Sequence, residues 1–162
     1  MKRMMIGLCS LLLLASCAVT AEQAAKRAER EAATARAVAK ALSERHFEIE
    51  ATFMYPERGN PVPITPDYGV QVKGDTLISY LPYYGRAYNI PYGGGVGLNF
   101  TSTISHYAES QPKKDMTRIV IATGNDEDRY VYTIDVFGNG RTDIEVSAEE
   151  RDRIHFSGEM KM

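Results

Sequence analysis

Apolar and polar residues alternate along the chain from residue 46 onward, as they do in β-strands that bury one face. In the first such segment the apolar positions are Phe47, Ile49, Ala51, Phe53 and Tyr55. A period of two predicts a half-buried strand that turns these five side chains toward a core.

Similar segments recur through the rest of the chain, separated by glycine, proline and polar residues. Gly74-Asp75 predicts a tight turn, and the run from Phe137 to Gly140 predicts a hairpin. Residues 148–152 are predicted to form a helical turn. The further predicted strands are 70–72, 76–81, 104–109, 116–123, 129–137, 141–147 and 154–158. This spacing predicts an all-β domain, an antiparallel sandwich or small barrel of about eight strands.

Before residue 46 the apolar period becomes helical, in a segment rich in Ala, Glu, Arg and Lys. Its apolar positions are Ala25, Ala28, Ala32, Ala35, Ala39 and Leu42. A stripe made almost wholly of alanine buries little, so we expect a solvated spacer that the domain does not need for folding. The alternative is a coiled-coil seam to a partner, although the seam is short and lacks large apolar residues.

The first residues have the pattern of a targeting segment. Lys2 and Arg3 precede an apolar stretch that is too short to span a membrane. The stretch ends in Leu14-Ala15-Ser16-Cys17, which resembles a bacterial lipobox, in which the cysteine is acylated and the chain is cut before it. The predicted divisions are a signal peptide at 1–16, lipidated Cys17 with the helical spacer at 17–45, and the β domain at 46–162. The alternative is an ordinary secretory signal cut near residues 18–21.

These assignments predict a protein of the cell envelope, anchored to a membrane by lipid and facing the periplasm. Cys9 would leave with the signal, so the mature chain would have no cysteine for a disulfide, a thiolate nucleophile or a metal site. Removing Lys2 and Arg3 from the 19 basic residues leaves 17 against 21 acidic residues, a net charge of −4. A net negative charge does not indicate the basic surface that is typical of nucleic-acid-binding proteins. The mature chain suffices for one domain, which we expect to be monomeric.

Tyrosines concentrate in the stretch 74–100, which two prolines interrupt. Pro82 must end a strand or lie at an edge, and Gly85 is expected to take a positive φ at the resulting corner. The side chains predicted to bind a ligand or partner are Tyr80, Tyr83, Tyr84, Arg86, Tyr88 and Tyr92. Because tyrosine has an apolar ring and a polar tip, core packing with satisfied hydroxyls is the alternative. Arg86 is a candidate for stacking on a tyrosine face.

Three segments carry a resemblance to a known family: Gly74-Asp75, the run from Ser79 to Tyr88, and the glycine-rich turn that leads to Phe100. The chain resembles a family of Bacteroidetes cell-envelope proteins catalogued as domain of unknown function 4251. The likeness covers about residues 40–158. The family has no assigned activity, so the resemblance implies a small envelope domain and transfers no catalytic residues.

Other motifs give weak signals for chemistry. The glycine run 93–97 lacks the Lys-Ser/Thr of a phosphate loop and predicts a plain loop. The segment 135–143 matches the pattern of a calcium-binding loop only weakly, because Phe137 occupies a position where a ligand is required. The acidic residues 126–128 predict a solvated turn, with a loose cation contact as the alternative. The three histidines are dispersed in the sequence. No serine lies in the glycine-flanked turn that carries the nucleophile of a hydrolase. We therefore expect no cofactor, no metal and no enzymatic activity.

The sequence thus favours a periplasmic binding or interaction module. One alternative is a carrier of a small apolar or glycan ligand in a tyrosine-lined pocket, and a less favoured one is an envelope hydrolase. A contiguous pocket lined by Tyr80, Tyr84 and Tyr88 would favour the ligand carrier. A flat exposed aromatic patch would favour an adaptor that docks a protein partner.

Overall fold

The computed structural model describes residues 2–88 and 96–162, and the side chains of residues 22–88 and 96–162. The elements are α1 (Lys2–Ser43), β1 (His46–Pro56), β2 (Val62–Pro63), β3 (Gly69–Lys73), β4 (Thr76–Leu81), β5 (Leu98–Thr103), β6 (His106–Lys113), β7 (Met116–Gly124), β8 (Arg129–Phe137), β9 (Arg141–Ala148) and β10 (Ile154–Met160). The chain divides into two compact units, Met1–Thr34 and Ala35–Met162. All the strands belong to the second unit.

The strands form one antiparallel sheet in the order β5-β4-β3-β1-β10-β9-β8-β7-β6, with β2 paired to β1. The sheet curls so that β5 comes back beside the end of β7. There the Thr123 hydroxyl donates to the carbonyl of Thr103 at 2.9 Å, and the Ser102 hydroxyl donates to the carbonyl of Gly124. The all-β antiparallel prediction is confirmed. Of the two architectures left open, the structure has a single curled sheet, a half-barrel, rather than two packed sheets.

The inner face of the curl is filled by side chains. On β8, Tyr130, Tyr132, Ile134 and Val136 are buried, as the alternation predicts. The Tyr132 hydroxyl donates a 2.9 Å hydrogen bond to the hydroxyl of Ser79, whose own hydroxyl donates to the carbonyl of Leu98 at 2.7 Å. Burial raises the pKa of Tyr132 well above its ordinary value. The middle of the sheet is therefore a packed core rather than a ligand cavity.

A β-bulge in β1 reverses part of the predicted burial. The pairing of β1 with β10 shifts between Ala51 and Phe53, so one extra residue stands on β1. Side chains up to Ala51 face the core as predicted, but beyond the bulge Met54 is buried while Phe53 and Tyr55 are 43% and 39% exposed. The prediction that Phe53 and Tyr55 face inward is wrong, because one extra residue exchanges the two faces of a strand.

The end of the helix belongs to the β unit, and this corrects the predicted boundary at residue 46. The packed unit begins at Ala35, and Val38 and Leu42 are 4% and 2% exposed within the core cluster. Residues 22–33 are exposed, as expected of a spacer. The alanine stripe led us to expect a helix that does not pack, but two branched side chains at its end suffice to dock the last turns.

The predicted turns are confirmed at both hairpins. Gly74 and Gly140 have φ values of 61° and 87°, which glycine adopts without a Cβ penalty. Residues 148–152, by contrast, form no helical turn. They make a bend followed by an isolated antiparallel bridge between Arg151 and Ala87.

Candidate functional site

The chain that leaves β4 docks on the segment between β9 and β10. The amide of Tyr88 donates to the carbonyl of Glu150 at 2.8 Å, and the amide of Asp152 donates to the carbonyl of Arg86 at 2.9 Å. Pro82 cannot continue the ladder of β4, so the chain is free to turn there and form this short second pairing. The tyrosine-rich segment is thus held against a charged loop that is remote in sequence.

Asp152 is the residue on which this docking converges. Its Oδ1 accepts a 2.6 Å hydrogen bond from the Tyr88 hydroxyl, and its Oδ2 accepts a 3.2 Å bond from the amide of Arg86. The hydrogen bond from Tyr88, followed by the one from the Arg86 amide, holds the pKa of the Asp152 carboxyl below its ordinary value. The same bond raises the pKa of Tyr88. Asp152 is therefore a carboxylate that orients Tyr88.

Tyr83 lies beneath the segment and is partly buried. Its hydroxyl is 2.7 Å from the carbonyl of Arg86 and 3.1 Å from that of Asp152, so its proton is shared between two acceptors. Burial, reinforced by the nearby Asp152 carboxylate, raises the pKa of Tyr83 to about 12. Tyr83 is a structural support, which is the packing alternative that the sequence left open for these rings.

Gly85 sits at the corner for a different reason from the one predicted. The glycines with positive φ among the described residues are Gly59, Gly74, Gly97 and Gly140, so the expected positive φ at Gly85 is wrong. Instead, a Cβ at Gly85 would lie 2.6 Å from the Tyr83 hydroxyl and 3.4 Å from the Cβ of Asp152. Glycine is needed there because the backbone passes close over Tyr83.

A buried ion cluster supports the docked segment from below. The Arg151 side chain is 7% exposed; its Nη2 lies 2.8 Å from Oε2 of Glu127 and its Nε lies 3.4 Å from Oδ2 of Asp128. Asp128 Oδ1 also accepts hydrogen bonds from the amides of Arg129, Glu149 and Glu150 at 2.8 to 3.2 Å. The prediction of a solvated acidic turn at 126–128 is therefore wrong for Glu127 and Asp128, while Asp126 is exposed.

Arg151 also takes the cation–π position that was considered for Arg86. Its guanidinium carbon is 5.6 Å from the centroid of the Tyr83 ring, on the side of the ion cluster. Arg86 is exposed and lines the surface instead. A buried arginine thus bridges the acidic turn to the tyrosine segment.

Two adjoining open hollows lie around Asp152, and we call them the Asp152 hollows. The first has a volume of about 490 Å³ and is lined by Glu57, Arg58, Tyr88, Ser147, Ala148, Arg151, Asp152, Arg153 and His155. The second has a volume of about 410 Å³ and is lined by Glu57, Arg58, Tyr83, Tyr84, Gly85, Arg86 and Asp152. Glu57, Arg58 and Asp152 line both, so the hollows meet along these three side chains.

The structure brings together part of the predicted site. Tyr84 and Tyr88 are 67% and 68% exposed and present their rings at the Asp152 hollows together with Arg86. Tyr80 lies apart from them, stacked on Tyr68 at a centroid distance of 5.0 Å. The predicted site residue Tyr92 lies outside the described residues. Cys17 lies in α1, but its side chain is outside those described.

Five charged residues that line the hollows were not predicted from the sequence: Glu57, Arg58, Arg151, Asp152 and Arg153. Arg151, Asp152 and Arg153 belong to a run of charges, Glu149 to Arg153, between two predicted strands, and a charge run is ordinarily a solvated loop. Glu57 and Arg58 directly follow Pro56, where the sequence predicts an exposed loop. The pairing of residues 86–88 with 150–152 brings this charge run to the tyrosine-rich segment.

Three further observations concern metal ligands, membrane-spanning helices and histidines among the described residues. Among the side chains described, no three His, Cys, Asp or Glu residues are grouped so that they could hold a metal ion. Within the described part of the chain, no helix combines the length and apolar character needed to cross a membrane. His46, His106 and His155 lie on exposed strand positions, as the alternation predicts.

Comparisons with known proteins agree with the fold. The model of a protein family described as "Domain of unknown function (DUF4251)" matches residues 29–160. A crystal structure of a DUF4251 family protein from Bacteroides eggerthii superposes with a TM-score of 0.60 at 17% sequence identity, covering 80% of this chain and 90% of that one. A comparison with curated proteins finds no match. At this identity the solved structure supports the half-barrel fold alone.

Proposed function

Because the chain belongs to the family of the domain of unknown function DUF4251, we propose a role that its surface supports: a lipid-anchored, non-catalytic binding module of the cell envelope. Its ligand would be polar and rich in hydroxyl groups, as a carbohydrate is. The Asp152 hollows would bind it, and acylated Cys17 would hold the domain at the membrane surface facing the periplasm.

One observation carries this proposal, namely the pair of exposed rings around a ready-made set of hydrogen-bonding groups. Tyr84 and Tyr88 are the most exposed of the described tyrosines and stand at adjoining hollows. Flat aromatic faces pack against the C–H faces of sugars. The Tyr88 hydroxyl donates its proton to Asp152 and can still accept a hydrogen bond from a ligand. Arg58 and Arg86 supply donors and Glu57 supplies an acceptor for ligand hydroxyls.

The geometry favours a polar ligand over the apolar one. Large apolar ligands usually need an enclosed cavity with an apolar lining. The interior of this curled sheet is filled instead, since Tyr132, Ile134 and Phe156 are each at most 1% exposed. The Asp152 hollows are open to solvent and lined mainly by charged side chains.

The non-catalytic role is supported by how the carboxylate of the site is used. A general acid or base must be free to exchange a proton near the working pH. Asp152 is already bonded to Tyr88 and to the amide of Arg86, and its pKa is lowered rather than raised. We therefore infer that Asp152 positions the binding surface and does not transfer protons.

The test is a binding screen of the mature domain on a glycan array, followed by calorimetry with each positive glycan. Tyr84→Ala and Tyr88→Ala should each weaken binding by about three- to tenfold, since an aromatic contact contributes about 0.5–1.5 kcal/mol. Tyr80→Ala is the matched control, because Tyr80 is also exposed but lies elsewhere. Equal losses for all three variants, or no glycan bound, would refute the proposal.

A second candidate, docking of a protein partner, is favoured by a different surface. Phe53, Tyr55 and Val62 are 43%, 39% and 42% exposed, and the rings of Phe53 and Tyr55 are 6.5 Å apart. The bulge in β1 is what turns Phe53 and Tyr55 to the outside. Crosslinking in intact cells, compared between wild type and Phe53→Ser, would reveal a partner that depends on this surface.

A further inference from the structure

A third hollow adjoins the Asp152 hollows on the outer face of the sheet. It has a volume of about 330 Å³ and is lined by Ser105, Ala122, Thr123, Arg129, Tyr130, Val131, Ser147, Ala148 and Glu149. Ser147 and Ala148 also line the first Asp152 hollow. We call this third space the Val131 hollow, because Val131 is the large apolar side chain that it exposes, at 41%.

The strand register shows that the hollows follow one row across the sheet. Ala122 of β7 is paired with Val131 of β8, and Val131 is paired with Ser147 of β9. Arg153 comes directly before β10, whose first residue, Ile154, is paired with Val146 of β9. Continued by one residue, that register places Arg153 beside Ser147. The row therefore runs over three adjacent strands, β7, β8 and β9, and reaches the Asp152 hollows at Arg153, just before β10.

The length of this row sets the size of the occupant. Neighbouring strands are about 4.8 Å apart, so three inter-strand steps span about 14 Å. The second Asp152 hollow, with Tyr84 and Arg86, extends the surface further. A monosaccharide could occupy one hollow, whereas a groove of this length fits several sugar units in a row.

The chemistry changes along the groove. At the Asp152 end most side chains are charged or aromatic. The lining of the Val131 end includes Ala122, Val131 and Ala148, together with the Arg129–Glu149 pair and Ser105. An exposed valine among alanines offers apolar contact and no hydrogen bonds. A ligand that spans the groove would therefore carry small apolar substituents, such as acetyl groups, as well as hydroxyls.

From this continuity we propose that the Val131 hollow is a second subsite, and that the occupant of the whole groove is a linear oligosaccharide bearing N-acetyl groups. The proposal rests on the proposed function, since it extends the same site. The Asp152 hollows would bind one end of the chain, and the Val131 hollow would bind a sugar unit further along it through its acetyl methyl group.

The test measures binding to the full mature chain by calorimetry with three saccharides. The disaccharide and the hexasaccharide of N-acetylglucosamine differ in length, and cellohexaose has the longer length but lacks acetyl groups. We expect the hexasaccharide to bind at least tenfold more tightly than the disaccharide and than cellohexaose. Val131→Glu should abolish the gain with length and leave disaccharide affinity unchanged. Val62→Glu is the matched control, because that valine is 42% exposed on β2 and lies outside the groove.

The outcomes separate the two proposals. If the disaccharide binds and needs Tyr84 and Tyr88 but the hexasaccharide binds no more tightly, the second subsite is refuted and the proposed function stands. Equal effects of Val131→Glu and Val62→Glu on the hexasaccharide refute the subsite as well. If no saccharide binds, both proposals fail, and binding of an extended peptide instead would identify the groove as a peptide site. Circular dichroism of both variants shows whether each is folded.

Discussion

The hydroxyl of Tyr88 donates a 2.6 Å hydrogen bond to Oδ1 of Asp152, across 64 positions of sequence. This hydrogen bond adds a side-chain contact to a short antiparallel pairing of the tyrosine-rich segment with the loop before β10. In that pairing the backbones of 86–88 and 150–152 are hydrogen-bonded. The exposed ring of Tyr88 is thereby held at a fixed place on the surface.

Tyr88→Phe should raise the pKa of Asp152 toward its ordinary value of 3.8, because the hydrogen bond from Tyr88 is the main cause of its lowering. Interactions that lower the pKa of a carboxyl in the folded state contribute fully to stability at pH values above the pKa of the unfolded state. That contribution is lost as the pH falls through the lower pKa of the folded state. Tyr88→Phe should therefore lose less stability than wild type in this acid range. NMR titration of the Asp152 carboxyl and urea unfolding below pH 5 measure both effects, with Tyr84→Phe as control. An unchanged Asp152 pKa would contradict the assigned bond.

Gly158→Ala should destabilise the domain by about 1–3 kcal/mol, the usual cost of overpacking. A Cβ at Gly158 would lie 2.0 Å from the carbonyl oxygen of Glu50, and backbone on a paired strand cannot move aside cheaply. Gly138→Ala is the control, since the nearest atom to its Cβ would be 3.7 Å away. Urea denaturation compares the two variants. Equal stabilities would mean that β1 and β10 are less closely paired than described.

Leu42→Ala should cost about 2–5 kcal/mol, as expected when a buried leucine is truncated. Leu42 is 2% exposed and packs with Val38 in the core cluster of the β unit. Lys40→Ala, at an exposed position of the same helix, should change stability by about 0.5 kcal/mol or less. Thermal and urea unfolding of the mature chain give the comparison. A near-neutral Leu42→Ala would restore the view that the whole helix is a spacer.

Arg151→Met should destabilise the domain by about 3–5 kcal/mol, because it leaves the buried carboxylate of Asp128 without its counter-charge. The side chains of Arg151 and Asp128 are 7% and 0% exposed. Arg153→Met is the matched control: its side chain is 57% exposed and lies 3.4 Å from Glu145, a surface pair that contributes about 0–1 kcal/mol. Unfolding by urea at pH 7 distinguishes the two. A small loss at Arg151 would show that the amides bonded to Asp128 compensate its charge alone.

Cys17→Ala should release the protein from the membrane or leave its signal uncut, because the thiol of Cys17 is the proposed acyl acceptor. Acylation on this one residue with more than one chain would suffice for stable anchoring. Fractionation of cells followed by immunoblotting detects the change, and mass spectrometry of the wild-type N-terminus detects the acyl groups. Cys9→Ala, within the apolar stretch of the signal, should behave as wild type. Unaltered membrane retention of Cys17→Ala would refute lipid anchoring.

The sequence determined the features that depend on neighbouring residues. Alternation predicted most of the strands, though not β2 or β5, and it predicted the inward face of β8. Gly74 and Gly140 marked turns because glycine adopts a positive φ at little cost. Gly74-Asp75, the run from Ser79 to Tyr88 and the glycine-rich turn before Phe100 gave the family resemblance, and the match over 29–160 confirms the family. Each of these properties is encoded within a few consecutive positions.

The tertiary structure decided whatever depends on distant residues. One extra residue in β1 turned Phe53 and Tyr55 outward, and no local signal marks that bulge. In sequence, Glu127 and Asp128 resemble a solvated turn, but Arg151 pairs with both of them. Val38 and Leu42 are core residues because they pack in the same cluster as the strand side chains. The candidate site depends in the same way on Asp152 meeting Tyr88. Such pairings depend on the order of the strands and the curl of the sheet, since these bring together residues that the sequence separates.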